Sequence, residues 1–186
     1  MRENNRHKSG LTSKGSDDFR QYCRDIPDFP KKGIIFRDIT NLLKNGPVFR
    51  RAIDEISANY SRNKIDAIAS IEARGFIIGS ALAYRMGSGL VPVRKKGKLP
   101  WRVYRKSYSL EYGEDQLEVH QDSILPGANI LIVDDVIATG GTVEAVAKLV
   151  KKMKGNLIGA AFLIELTDLK GREKIKDVPV FSLIKY

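Results

Sequence analysis

Cysteine occurs once in these 186 residues, at Cys23, and histidine only twice, at His7 and His120. A single thiol excludes an intrachain disulfide and fits a reducing compartment. Two histidines are too few for a histidine-rich metal centre. No apolar run approaches the ~20 residues of a membrane-spanning helix. The opening stretch MRENNRHKSGLTSKGS has no apolar block of the kind a signal peptide needs. A cytoplasmic protein with no membrane partner is therefore expected. Two nucleotide-binding strings are also missing. G-x-x-x-x-G-K-[ST] occurs nowhere, and the nearest approach to G-x-G-x-x-G, GSGLVP at 87–92, lacks the last glycine and precedes a strand.

Positive charge is in excess, at a formal +10. Such an excess suits an anionic partner: nucleic acid, a membrane surface or a phosphorylated small molecule. It is also what a solubilising surface looks like. The segment RKKGKLPWRVYRK, 94–106, concentrates it, with Arg94, Lys95, Lys96, Lys98, Arg102, Arg105 and Lys106 and no acid among them.

Residues 1–16 are polar and without period, and read as a disordered tail. A short helix is expected from Asp17 to about Ile26, ended by Pro27, Pro30 and Gly33, and GIIFRDIT reads as a semi-extended loop. Pro47 opens a helix with Phe49, Ala52, Ile53, Ile56 and Tyr60 at helical spacing. Short apolar strands are expected at 65–71, 90–95, 129–135, 157–166 and 178–184, with a further strand at 116–120. Helices fall at 75–86 and from Thr142 to Met153, and residues 96–113 read as a long loop. Apolar strands alternating with helices describe an α/β fold whose parallel sheet is covered on both faces. No repeat or second-domain linker appears, so residues 17–186 form one expected domain.

The most informative stretch is ILIVDDVIATGGTVEA, 130–145. In open α/β sheets, ligands bind beyond the carboxyl ends of the strands. Here a buried strand ends on Asp134 and Asp135, and a turn then opens a helix. Unpaired N–H groups and the helix dipole favour an anion at that turn. Gly140 and Gly141 let the backbone approach it closely, and Thr139 and Thr142 add hydroxyls. The loop thus suits a phosphate, while the paired acids suit a sugar diol or a metal.

VDDVIATGGT resembles the phosphoribosyl-pyrophosphate signature of type I phosphoribosyltransferases. With IPDFPKKGIIFRDIT (26–40), IEARGFIIGSALA (71–83), VPVRKKGKLP (91–100), YSLEYGEDQLEVH (108–120) and ELTDLKGREK (165–174), the chain is similar to the adenine phosphoribosyltransferases from Ile26 to its last residue. The resemblance implies a central, mostly parallel sheet flanked by helices, with a flexible hood loop. It implies transfer of the phosphoribosyl group of phosphoribosyl pyrophosphate to adenine, giving AMP and pyrophosphate, in purine salvage. It further implies Mg²⁺ held mainly by the substrate, so that no protein residue is assigned as a metal ligand, a homodimer, and no nucleic-acid partner.

By the same resemblance, Ala138, Thr139, Gly140, Gly141 and Thr142 bind the 5′-phosphate, and Asp134 and Asp135 the ribose hydroxyls. Glu72, Ala73, Arg74, Arg94 and Lys98 meet pyrophosphate, with a non-proline cis peptide expected at Glu72–Ala73. Ile35 and Arg37 read the adenine edge through their backbones, Phe36 stacks on the ring, and Leu166 supports the apolar wall. Arg74 and Glu111 are the implied catalytic residues, Glu111 taking the purine proton beneath the lid, where Tyr112 packs. Transfer to another purine, or a non-catalytic sensor of phosphoribosyl pyrophosphate, are the alternatives.

Overall fold

A computed structural model describes residues 17–110 and 113–186. The expected tail, 1–16, and the expected site residues Glu111 and Tyr112 lie outside the described residues.

The main sheet has seven strands. They are β3 (Ala67–Ile71), β4 (Gly89–Lys95), β5 (Val103–Leu110), β6 (Gly113–His120), β7 (Asn129–Ile137), β8 (Asn156–Glu165) and β9 (Val180–Lys185), in the order β5-β6-β4-β3-β7-β8-β9. The five strands from β4 to β9 run parallel, and β6 and β5 add antiparallel at one edge. The sheet is thus mostly parallel, as expected, and the central run Ile130–Val133 is completely buried.

Side-chain alternation divides the core into two layers. Ile68, Leu131, Val133 and Leu163 face α3 (Gly46–Asn59) and α4 (Gly75–Met86). Ala69, Ile132, Ala160 and Phe162 face α5 (Gly141–Lys152). Helix α3 starts where expected: the Asn45 side chain caps the Val48 N–H at 3.3 Å, Pro47 occupies the first turn, and Val48, Ala52, Ile53 and Ile56 form the buried stripe. Helix α4 lies so close to β3 that a Cβ on Gly79 would stand 2.2 Å from Ser70 Oγ.

Three expectations change. The first helix, α1, spans only Asp17–Arg20, and Arg24–Pro27 forms a strand, β1, antiparallel to β2 (Ile35–Asp38). Pro27 biases its predecessor away from helix, and the presumed loop IFRD supplies the partner strand; a short helix, α2 (Thr40–Lys44), follows it. Second, β7 runs two residues past Asp135 because β8 pairs with it as far as Ile137. Third, the expected long loop at 96–113 contains β5, paired residue by residue with β6. Its charged sequence hides a period of two. Tyr104 and Tyr108 pack on the α5-side core, while Arg105 on the other face bonds its direct cross-strand partner Glu118 at 2.6 Å.

Candidate active site

The carboxyl ends of β3, β7 and β8 lie side by side, and each leads into a tight connection. After β3 come Glu72-Ala73-Arg74 and the N terminus of α4. After β7 come Ala138-Thr139-Gly140 and the N terminus of α5. After β8 come Leu166 and two 3₁₀ turns, Thr167–Leu169 and Gly171–Ile175. The N terminus of α4 presses on β7 at Gly75, where a Cβ would stand 2.7 Å from Asp134 Oδ1.

Gly140 sits at φ 81° and caps α5 without any side-chain bond, so the N–H groups of the helix's first turn are not taken by a capping side chain. A small cavity of about 80 Å³ brings Asp134 together with Ala138, Thr139, Gly140 and Thr142. Gly141, the first helical residue, is buried beside them.

The paired acids differ in surroundings. Asp135 is 6% exposed, and its Oδ2 lies 2.7 Å from Arg74 Nε in an ion pair without hydrogen-bond geometry. Its backbone N–H donates to Asp134 Oδ1 at 2.8 Å. Desolvation, reinforced by the neighbouring Asp135 charge, raises the Asp134 carboxyl well above the usual carboxylate range. Desolvation also raises Asp135, while Arg74 opposes the rise. The pair therefore resists carrying two charges unless hydroxyl donors or a cation arrive. Among the described residues no group of three carboxylate, histidine or cysteine ligands forms a metal cage.

Arg74 also stacks its guanidinium 4.6 Å from the centre of the Phe36 ring. Phe36 meets Phe29 edge to face, at 5.2 Å between centres. The Glu72–Ala73 peptide is cis, at the position expected. Glu72 bonds Arg94 Nε at 2.7 Å, and Arg94 Nη1 donates to the Lys98 carbonyl at 3.3 Å, so three of the residues expected to meet pyrophosphate are linked.

A second cavity, of about 480 Å³, is lined by Ile35, Arg37, Ala138 and Leu166, with Asp168 and Tyr186. It gathers three of the four residues assigned to the base. Phe36 does not line it, because alternation along β2 turns Phe36 toward Arg74 instead. Tyr186 stacks under the Arg37 guanidinium at 3.9 Å. Neither Tyr186 nor Asp168 was singled out in the sequence, since a terminal tyrosine and an acid in a polar loop carry no local signal. Gly171 was also missed as a site residue: a Cβ on Gly140 would stand 2.3 Å from its carbonyl oxygen.

The family model of the phosphoribosyl transferase domain matches residues 39–185. Adenine phosphoribosyltransferases from Thermosynechococcus vestitus and Thermotoga neapolitana are each 53% identical over 169 residues, covering 91% of this chain and 99% of the relative. The crystal structure of adenine phosphoribosyltransferase from Thermoanaerobacter pseudethanolicus superimposes with a TM-score of 0.89 at 48% identity, covering 92% of this chain and 99% of its own. The Saccharomyces cerevisiae enzyme, solved with an imino-altritol bisphosphate and adenine, gives 0.86 at 39% identity, covering 91% and 98%. An α/β sheet of this topology, matched by the family model and these relatives over this length, defines a phosphoribosyltransferase. The chain belongs to that family, in its adenine phosphoribosyltransferase branch.

Proposed function

We propose that this chain transfers the phosphoribosyl group of phosphoribosyl pyrophosphate to adenine, releasing AMP and pyrophosphate in purine salvage. One observation carries the reading: Ala138 lines both the small cavity at the phosphate loop and the larger apolar cavity. A sugar phosphate seated in the first thus presents its anomeric carbon to a planar base in the second.

In this reading the loop 138–142 holds the 5′-phosphate, and Asp134 and Asp135 accept hydrogen bonds from the ribose hydroxyls. The bond from the base nitrogen to the anomeric carbon forms as the bond to pyrophosphate breaks. Positive charge develops on the ribose, as in glycoside chemistry. Glu72, Ala73, Arg74, Arg94 and Lys98 surround the departing pyrophosphate and offset its charge. Glu111 accepts the proton lost by adenine, and the β5–β6 hairpin excludes water as a lid, to which Tyr112 contributes. Ile35, Arg37 and Leu166 hold the base, and Phe36 borders it beside Arg74. Mg²⁺ would be held mainly by the substrate's own oxygens and would neutralise pyrophosphate charge.

No helix among the described residues is long and apolar enough to cross a membrane, and we place the enzyme in the cytoplasm. We assign a homodimer to the exposed apolar side chains Ile77 and Tyr84 of α4 and Leu90 of β4, of which Tyr84 is 92% exposed. Pyrophosphate release, measured in parallel with adenine, hypoxanthine, guanine and xanthine, tests the reading. Release with adenine alone is expected; preference for an oxopurine, or no release with any base, overturns it.

A further inference from the structure

The active site leaves much of the positive charge unused. A groove of about 580 Å³ runs along the flank of α5, between that helix and the Gly171–Ile175 turn. Lys148 and Lys151 line it from the helix, and Lys174 and Lys176 from the opposite wall. A polar cavity of about 200 Å³ adjoins it, sharing Lys148 and Lys174 and adding Lys106 from β5. Four lysines thus line the groove, and a fifth, Lys106, lines the cavity beside it.

Only two acids answer them, Glu144 and Asp177. Glu144 is bonded to Lys148, one turn further along α5. That bond chiefly lowers the Glu144 pKa, and the more distant charges of Lys174 and Lys106 lower it further, so the amines still act through space. Among the described residues Lys151, Lys174 and Lys176 have no salt-bridge partner. The groove floor is different in kind: Leu157, Ile175 and Val178 supply an aliphatic surface.

We propose that this groove is a second anion site whose ligand class is a nucleoside polyphosphate, the base lying on the aliphatic floor and the phosphates on the lysine rims. Inorganic polyphosphate would leave the floor unused, and the volume matches one small ligand rather than a long strand. The groove lies on the α5 side of the sheet, whereas Ile77 and Tyr84 lie on α4 across it, so dimerisation through α4 leaves it open. The adjoining polar cavity reaches Gly141 of the loop 138–142, whereas the groove itself is lined along α5 only from Glu144 onward.

The test is ATP binding to the full chain by calorimetry, with AMP saturating the active site. One ATP per chain is expected, with an affinity that falls steeply between 50 and 200 mM salt, a range of about fourfold in ion concentration. The triple variant K148A/K151A/K174A removes exposed side chains only. It is expected to weaken ATP at least ~10-fold, about 1.4 kcal/mol, while pyrophosphate release without ATP is unchanged. Absence of ATP binding in the presence of AMP, or equal affinity in the triple variant, overturns the site. Tripolyphosphate binding as tightly as ATP overturns the nucleoside part. Oligonucleotides binding more tightly with increasing length overturn it in favour of nucleic acid. Failure of pyrophosphate release would remove the proposed activity and leave the ATP result standing by itself.

Discussion

Gly140 and Gly171 touch backbone to backbone: a Cβ on Gly140 would meet the Gly171 carbonyl oxygen at 2.3 Å, and one on Gly171 would meet the Ala138 carbonyl oxygen at 2.3 Å. The phosphate loop after β7 therefore rests against the turn that follows β8, two connections that are distant in sequence.

Gly171→Ala should displace the phosphate loop without placing any group in the active site. The nearest atom it meets, the Ala138 carbonyl oxygen at 2.3 Å, is backbone and cannot swing aside, and Ile137 Cγ1 at 2.9 Å belongs to a buried side chain. The KM for phosphoribosyl pyrophosphate is expected to rise ~10-fold or more, about 1.4 kcal/mol, with a smaller change in the KM for adenine. Gly46→Ala is the control, because nothing lies within 4 Å of its added methyl. Steady-state kinetics with each substrate varied in turn decides it, and parallel changes in both KM values would count against a contact confined to the phosphate loop.

Gly171 is itself held in place by its neighbour. Arg172 forks onto the buried Glu165, at 2.5 Å and 2.6 Å, and also donates to the Val180 carbonyl at 2.7 Å and to Ser182 Oγ at 3.2 Å. Arg172→Ala strands a carboxylate that is 6% exposed. Fully buried pairs lose about 3–5 kcal/mol when one partner is removed. Because the Arg172 side chain is 38% exposed, roughly 2–3 kcal/mol is expected, read by urea unfolding at pH 7. The Glu165 carboxyl lies below its usual range, where the Arg172 bonds outweigh desolvation. Its contribution is thus present above the unfolded carboxyl value and is lost as pH falls through the lower folded one. The difference between wild type and variant should shrink toward acid. A gap that stays constant from pH 7 to pH 3 would contradict this.

The Asp134 carboxyl carries the opposite sign. Its folded pKa is raised, so its favourable contribution is complete below the unfolded value and is lost as pH rises through the folded one. Above that value the ionised pair strains the free protein. Asp134→Asn keeps an oxygen for the Asp135 N–H and removes the charge. The free variant should melt roughly 2–4 °C higher at pH 8, the change that about 1 kcal/mol produces in a domain of this size, with the gain fading at pH 4. Binding moves the other way. Ribose hydroxyls bond an ionised acceptor more strongly than a protonated one, so wild-type KM for phosphoribosyl pyrophosphate should fall as pH rises through the Asp134 titration, and the variant should lose that limb. Calorimetric scans and KM profiles measured on the same samples check both halves.

Legibility in the sequence followed the reach of the interactions. Strands β3, β7 and β8 were readable because burial on both faces leaves long apolar runs, and β4 and β9 from shorter apolar runs that are only partly buried. Helix α4 was readable to the residue, 75–86, because Gly75 and Gly87 bracket it. Strand β5 was not, since its order depends on the Arg105–Glu118 pair and on tyrosines packing against a distant core. Asp134 and the loop 138–142 form one contiguous stretch, so their grouping around one cavity could be read along the chain. Gly171, Asp168 and Tyr186 join the site only through tertiary folding, and no spacing in the chain announces them.

Arg74 is where the two halves of the site meet, and its replacement by lysine separates charge from shape. The guanidinium pairs with Asp135 at 2.7 Å while its plane lies 4.6 Å from the Phe36 centroid. A lysine ammonium keeps the charge but has no plane to stack and no second nitrogen to offer pyrophosphate. Arg74→Lys should therefore keep much of the relief that Arg74 gives Asp135, and with it the fold's thermal stability. It should still lose ~100-fold in kcat/KM, about 2.7 kcal/mol of transition-state stabilisation. Arg74→Met should lose the activity and also leave Asp135 as a buried acid without its ion-pair partner, which burial then drives further upward. The two variants should consequently differ in melting temperature at pH 8 and converge as pH falls through the Asp135 titration. Equal activity in wild type and Arg74→Lys would reduce the role of Arg74 to that of a simple counter-charge.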